Sequence, residues 1–203
     1  MPSGKIAGRL VIRSLCVLAL APAVGCQPHA RSLEPEPETP AATRPADAPF
    51  TISPLRVQTI GPMSYCYVPV RTSFQELPQT SSRAVAAVRK AAAGRLSFTG
   101  PCLFVYHDPG EDPAQPFDME IGYPVADSAA APAGLSVRKL PAFRCATVTY
   151  RGPMRHLDEA YAKLIPEIIA AGYIPSDETR ESYTTWASPD SAGNVVQIEV
   201  GIR

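Results

Sequence analysis

Apolar and polar residues alternate in the same order in two stretches of this chain. Residues 116–125 read PFDMEIGYPV and residues 195–203 read VVQIEVGIR. Each sets an apolar residue, Glu, a β-branched residue and Gly in succession: Met119-Glu120-Ile121-Gly122, then Ile198-Glu199-Val200-Gly201. A period of two marks a strand with one buried face. The alternation points Glu120 and Glu199 away from their apolar neighbours, which gives both acids a structural place.

The copies lie 79 positions apart (199 minus 120), and sliding the chain on itself near that offset aligns more than one strand. Pro62 meets Pro141, Cys66 meets Cys145, Gly94 meets Gly172, Pro109 meets Pro189, and Glu120 and Gly122 meet Glu199 and Gly201. These matches keep their order with one-residue gaps, so the folded part is read as a tandem duplication.

Each half predicts the same elements. A long β-branched and aromatic strand comes first, over 55–70 and 135–150. A helix follows. In the first half Val85, Val88 and Ala92 recur at helical spacing before Gly94 as a C-terminal cap. In the second, Leu157, Tyr161, Leu164, Ile165, Ile168 and Ile169 make an apolar face before Gly172. Gly152-Pro153 starts that helix and Pro166 is expected to kink it. A strand over 99–107 or 179–187, a Pro- and Asp-bearing turn over 108–115 or 188–193, and a last strand over 117–125 or 194–201 complete each unit. The fold class is α+β: strand–helix–strand–strand twice, an antiparallel sheet with helices on one face, and a cleft at the pseudo-twofold seam. Neither copy alone has much core, so the halves, about 52–125 and 135–203, pair into one domain over 50–203.

The segments before it are of another kind. Residues 1–26 carry Lys5, Arg9 and Arg13 and then an apolar run from Leu15 to Val24, the form of a signal peptide. Its end, LAPAVGC, fits two processing chemistries. Ala23-Val24-Gly25-Cys26 is similar to a lipobox, which would make Cys26 a lipidated N-terminus. Ala21-Pro22-Ala23 fits ordinary secretory cleavage. Residues 27–49 hold six Pro and four acids and almost nothing to bury, the composition of a Pro-rich, disordered tether. A stalk after Cys26 favours the lipid anchor and a cell-envelope location, on the periplasmic or extracellular face.

Of 203 residues, 45% are hydrophobic and 19% charged. Loss of the first 26 leaves 16 basic against 19 acidic residues, which argues against wrapping a phosphate backbone, so no nucleic-acid partner is expected. Cys66, Cys102 and Cys145 remain after processing. They form no CxxC pair, so no metal site is predicted. They are read as one disulfide with a buried thiol, or as three small core residues. His107-Asp108-Pro109 reads as a turn, and His156 as lying near a helix start. No serine-triad spacing, HExxH or glycine-rich phosphate loop is present, and no cofactor is expected.

A hairpin ending MEIGYPV, then KLPAFRCATVTYRGPM, a helix ending AAGY, and RESYTTWASP before the last strand together resemble the GyrI-like effector-binding domain. The resemblance covers about 52–203 and is carried by order and spacing. It extends to the haem-binding SOUL-type proteins. It implies a duplicated four-element fold and capture of lipophilic, often cationic, aromatic compounds in the cleft. It implies Glu181 as the counter-charge, with Tyr183 on the same strand face. Tyr65, Tyr67, Tyr106, Tyr123 and Trp186 are candidate walls. The plainer reading of Glu181 is a strand-edge acid paired with Arg180 or Arg144, and of the tyrosines, core or rim. Some GyrI-like proteins hydrolyse cyclopropane-bearing cytotoxins, which would make Glu181 a general base beside Tyr183 or Trp186. A protein-interaction module with an empty cleft is the third reading.

Overall fold

A computed structural model describes residues 49–203 of the chain apart from Glu111. Cys26, the apolar run and all of the tether but its last residue, Pro49, lie outside the described residues. The elements are β1 (Thr51–Ile52), β2 (Arg56–Ile60), β3 (Met63–Thr72), α1 (Leu77–Ala92), β4 (Cys102–His107), β5 (Phe117–Val125), β6 (Ser136–Leu140), β7 (Phe143–Arg151), α2 (Leu157–Ala170), β8 (Pro175–Thr185) and β9 (Val195–Ile202). A 3₁₀ turn over Met154–His156 leads into α2.

The strands form one antiparallel sheet in the order β1-β7-β9-β8-β4-β5-β3-β6, with β2 also on β7. The duplication is plain in that order. β3-α1-β4-β5 and β7-α2-β8-β9 are the two strand–helix–strand–strand units, and they join edge to edge through β4 and β8.

The expected long first strands are each broken in two. Gly61-Pro62 separates β2 from β3, and Pro141-Ala142 separates β6 from β7. Proline cannot donate to a ladder, so the break falls where the sequence places it. The detached pieces cross over. β2 precedes the first unit but pairs with β7 of the second, Ile60 opposite Phe143. β6 precedes the second unit but pairs with β3 of the first, Met63 opposite Leu140. Each half therefore lends the other a flanking strand.

The cysteine match is also corrected. Tyr67 stands opposite Gly122 and Cys145 stands opposite Gly201, so Cys145 occupies the ladder position of Tyr67. A one-residue slip reverses a side chain's face. Cys66 points to the helices and Cys145 to the other side. Both are buried, Cys102 is partly so, and all three are free thiols.

Helix α1 starts with Pro in its first turn, carries Arg89 and Lys90 in its last, and gives way to Gly94 at φ +67°. These are favourable N-terminal, dipole and C-terminal signals in turn. α2 runs through Pro166 and gives way to Gly172 at φ +86°. The buried face of α1 is Ala84, Val88 and Ala92; that of α2 is Ala160, Leu164 and Ile168. Ile169, expected on the apolar face, is exposed. The larger side chains of α2 bury more apolar area, so α2 is held more strongly than α1.

The helix-bearing side of the sheet carries two clusters. One joins Ala146, Val148, Val196, Ile198 and Val200 to α2. The other joins Phe104, Tyr106, Phe117, Met119 and Ile121 to α1. The opposite side has its own small core of Tyr65, Leu103, Val105 and Leu140, the last supplied by the crossing β6.

Candidate functional site

The join between the units places Phe104 opposite Glu181 and Tyr106 opposite Thr179. Because side chains alternate along a strand, Glu181 and Tyr183 of β8 share the helix-facing side with Phe104 and Tyr106 of β4. α2 covers this spot with Tyr161.

The three tyrosines converge on one carboxylate. Tyr106 and Tyr183 donate to Glu181 Oε2 at 2.8 and 2.7 Å, and Tyr161 donates to Oε1 at 2.8 Å. Glu181 is 3% exposed. Burial pushes its carboxyl above the ordinary range, and the phenols of Tyr183, Tyr161 and Tyr106 pull it back down. No Lys or Arg among the described residues contributes to its setting. The three phenols are held well above their usual range, by burial first and then by the Glu181 charge. Chemically this is a recessed carboxyl whose charged form would be solvated by neutral hydroxyls and walled by rings.

Two open hollows, of about 390 and 350 Å³, lie elsewhere: one beside the end of α1 at Lys90 and Arg95, the other at Arg71, His107 and Glu120. Neither reaches Glu181. The solvent side of the cluster is Trp186, which is 53% exposed and packs edge-on against Tyr183 with centroids 5.9 Å apart.

Residues 54–188 match the GyrI-like small molecule binding domain. The chain belongs to the GyrI-like family. The fold is shared with the C-terminal domain of EcmrR (TM-score 0.60, 25% identity, covering 74% of this chain and 97% of that one). It is shared also with EcmrR in a DNA complex (TM-score 0.62, 23% identity, 76% of this chain), where this chain spans 57% of the longer protein. A third neighbour is SAV2435 bound to tetraphenylphosphonium (TM-score 0.56, 13% identity, 74% of this chain and 94% of that one). No curated protein matches.

Within this GyrI-like domain the expected site residues fall into three places. Glu181, Tyr183 and Tyr106 meet, with Trp186 at their edge. Tyr123 is on the helix-facing side but in another cluster: it stacks on Phe98 at 4.0 Å and accepts from Arg89 Nε at 2.7 Å. Tyr65 and Tyr67 lie on the opposite face of the sheet, stacked on one another at 5.3 Å, with Tyr65 donating to the Leu103 carbonyl at 2.7 Å. They share no face with Glu181. Neither suggested partner of Glu181 pairs with it. Arg180 pairs with Glu178, and Arg144 lies over the Tyr173 ring.

Tyr161 and Phe104 were not foreseen as members of the site. Tyr161 stood on the apolar face of a helix, where a tyrosine reads as core. Its helical position facing RESY was the available signal. Glu120 and Glu199 are on the helix-free face, as the alternation required. Glu120 takes Arg138 at 2.7 Å and His107 at 3.7 Å, while Glu199 accepts from Gln197 at 3.0 Å. Among the described residues no group of three His, Cys, Asp or Glu side chains is placed to hold a metal ion.

Proposed function

We propose that this GyrI-like domain captures a lipophilic aromatic cation at Glu181. The observation that carries the reading is a carboxylate buried among aromatic rings with phenols, and no basic side chain, as its partners. A buried carboxylate without a cation is electrostatically unfulfilled, so it favours a cation over a neutral compound of the same shape. The rings of Phe104, Tyr183 and Trp186 supply apolar burial and cation–π attraction. The ligand enters on the Trp186 side. Binding is favoured over hydrolysis because Glu181 is buried and both its oxygens already accept hydrogen bonds from phenols, which leaves little room at the carboxylate for a water to activate.

The same proposal places the domain at a membrane, tethered through Cys26 and the Pro-rich segment, and working without nucleic acid. The basic n-region, the lipobox-like end and the acidic balance of the remainder support it. Its role is then sensing, sequestration or delivery at the envelope.

Titration with N-methylquinolinium and with neutral quinoline at mildly alkaline pH tests the site. Quinolinium is expected to bind more tightly by about five- to a hundredfold, and Glu181→Gln is expected to abolish that preference. Equal affinities in the wild-type protein would remove Glu181 as a charge reader. For the tether, Cys26→Ser is expected to move the protein out of the membrane fraction and to end incorporation of labelled fatty acid. A wild-type protein that takes up no label would refute the anchor.

A further inference from the structure

The turn from β8 to β9 is built around one side chain. Trp186 follows the last residue of β8, and Asn194 precedes the first of β9. Asn194 is 0% exposed, in a turn whose other residues, Ser191 apart, are exposed. Its Oδ1 accepts from Ala187 N–H at 3.0 Å, and its Nδ2 donates to the Ser188 carbonyl at 2.6 Å. Only this orientation of the amide pairs a donor with an acceptor at both ends. The backbone carbonyl of Asn194 accepts from Gly152 N–H at 3.2 Å, and the Pro189 carbonyl accepts from Met154 N–H at 2.7 Å. Gly152 and Met154 open the segment that becomes α2, which carries Tyr161. One buried amide thus closes the turn on itself, and the same turn is fastened to the start of α2. Buried hydrogen bonds of this kind are costly to leave unmade.

Trp186 needs such a fastening. It is 53% exposed, and β8 is irregular just before it, with a register shift between Tyr183 and Thr185. The rotamers open to a side chain depend on its backbone, so the direction of a half-exposed ring is set largely by the chain beneath it. The next residue, Ala187, is the one whose N–H Asn194 holds. We propose that Asn194 is a positioning residue of the cation site: it fixes the backbone beside Trp186 so that the indole stands edge-on to Tyr183 as a ligand wall. Asn194 bonds to no member of the Glu181 cluster and acts through Trp186. The inference rests on the reading of Glu181 as the cation site and adds what orders its solvent side.

Trp186 is the only tryptophan of the chain, so its fluorescence reads its placement without a ligand. Asn194→Ala is expected to make that emission more readily quenched by acrylamide. Titration with N-methylquinolinium at mildly alkaline pH then closes a cycle with Trp186→Ala. Trp186→Ala alone is expected to weaken binding about two- to thirtyfold, the span of one cation–π contact. Asn194→Ala alone is expected to weaken it about two- to tenfold, and to cost nothing further once Trp186 is gone. Asn194→Asp is the second variant. Ionised, it turns an oxygen on the Ser188 carbonyl, so it loosens the turn while keeping its volume, and the same pattern is expected of it. A loss at Asn194 that is equal with and without Trp186, no loss from Trp186→Ala, or unchanged quenching and affinity in both Asn194 variants overturns the positioning role while the Glu181 reading stands. Loss of cooperative melting in both Asn194 variants overturns it too, since Asn194 would then serve the fold as a whole. A wild-type protein with no preference for N-methylquinolinium over quinoline overturns the Glu181 reading and this inference with it.

Discussion

Arg180 and Glu181 are neighbours in the chain, and the sheet lies between their charges. Arg180 leaves β8 on the helix-free face, 1% exposed, with its guanidinium 3.9 Å above the Phe143 ring. Its Nε donates to Glu178 Oε1 at 2.7 Å. Glu181 leaves on the helix-facing side and meets three phenols. Two adjacent opposite charges would ordinarily quench one another. Here the strand's alternation prevents it, and each buried group keeps its own partners.

The first consequence is a pH dependence of binding. Burial raises the Glu181 carboxyl above its ordinary value. A raised acid contributes stability that is complete below its unfolded pKa and is lost as pH rises through the folded one. A cation reverses this preference by stabilising the ionised form. Affinity for N-methylquinolinium is therefore expected to rise with pH until Glu181 is ionised, with proton release on binding below that point. Calorimetry in buffers of different ionisation enthalpy measures the proton. Glu181→Gln is expected to flatten the profile, and a variant as pH-dependent as the wild type would place the titrating group elsewhere.

The second concerns the phenols. Tyr161→Phe removes one donor to a buried carboxylate and changes little volume. Above the Glu181 pKa the loss is expected to be about 1–3 kcal/mol of stability, since hydrogen bonds to charged groups exceed neutral ones. At low pH, with Glu181 protonated, the loss is expected to be smaller. Denaturant melts at the two extremes compare them, and an equal loss at both would mean that Tyr161 acts through packing alone.

The duplication is legible in the sequence because Glu120, Gly122, Glu199 and Gly201 mark one ladder position in each unit, and Gly94 and Gly172 each end a helix. The crossing of β2 and β6 is not legible. A two-residue break says that a strand ends, but which neighbour its fragment pairs with is decided by tertiary packing. The Cys66–Cys145 match misled because identity along the chain carries no information about face, which ladder register decides. The resemblance places Glu181 by position, and strand alternation sets Tyr183 on its face. Tyr106, Tyr65 and Tyr67 are named alike as aromatic walls, yet only Tyr106 shares the Glu181 face, because residue type does not say which side of a sheet a tyrosine takes.

The repeated glycines give a third prediction. A Cβ on Gly122 would collide with the Cys66 carbonyl oxygen and stand 2.7 Å from Tyr67 Cα, all backbone. On Gly201 it would collide with Ser176 Oγ and stand 2.9 Å from the Glu178 carbonyl. A hydroxyl can rotate aside and a paired backbone cannot. Both alanine variants are expected to be destabilised, Gly122→Ala by about 3 kcal/mol or more and Gly201→Ala by roughly 1–3 kcal/mol. Ser176→Gly is expected to recover part of the second loss and none of the first. Thermal melts of the wild type, the two alanine variants and each of these combined with Ser176→Gly rank them, and a Gly122→Ala protein as stable as wild type would mean that β3 and β5 are free to separate there.

Arg180 stands opposite Glu199 on β9, and burial lifts that carboxyl to about 7 while Arg180 draws it down. Glu178 is a third exposed and tolerates losing its partner, whereas Glu199 is buried. Arg180→Met fills much of the same volume and removes the charge, so the Glu199 pKa must climb further. At pH about 5.5 Glu199 holds its proton with or without Arg180, given a folded value near 7. At pH about 8.5 the wild type keeps an ionised Glu199 beside a cation, while the variant must bury an unpaired carboxylate or retain a proton against the solution. The deficit of Arg180→Met is therefore expected to grow by about 1–3 kcal/mol between the two conditions, since each unit of pKa shift is worth about 1.4 kcal/mol. Adding Glu199→Gln removes the titrating partner and is expected to make the deficit independent of pH. Denaturant melts of the wild type, each single variant and the double variant close the cycle. A deficit that stays constant in the single variant would show that Arg180 is held by Glu178 and the Phe143 ring, with no coupling to Glu199.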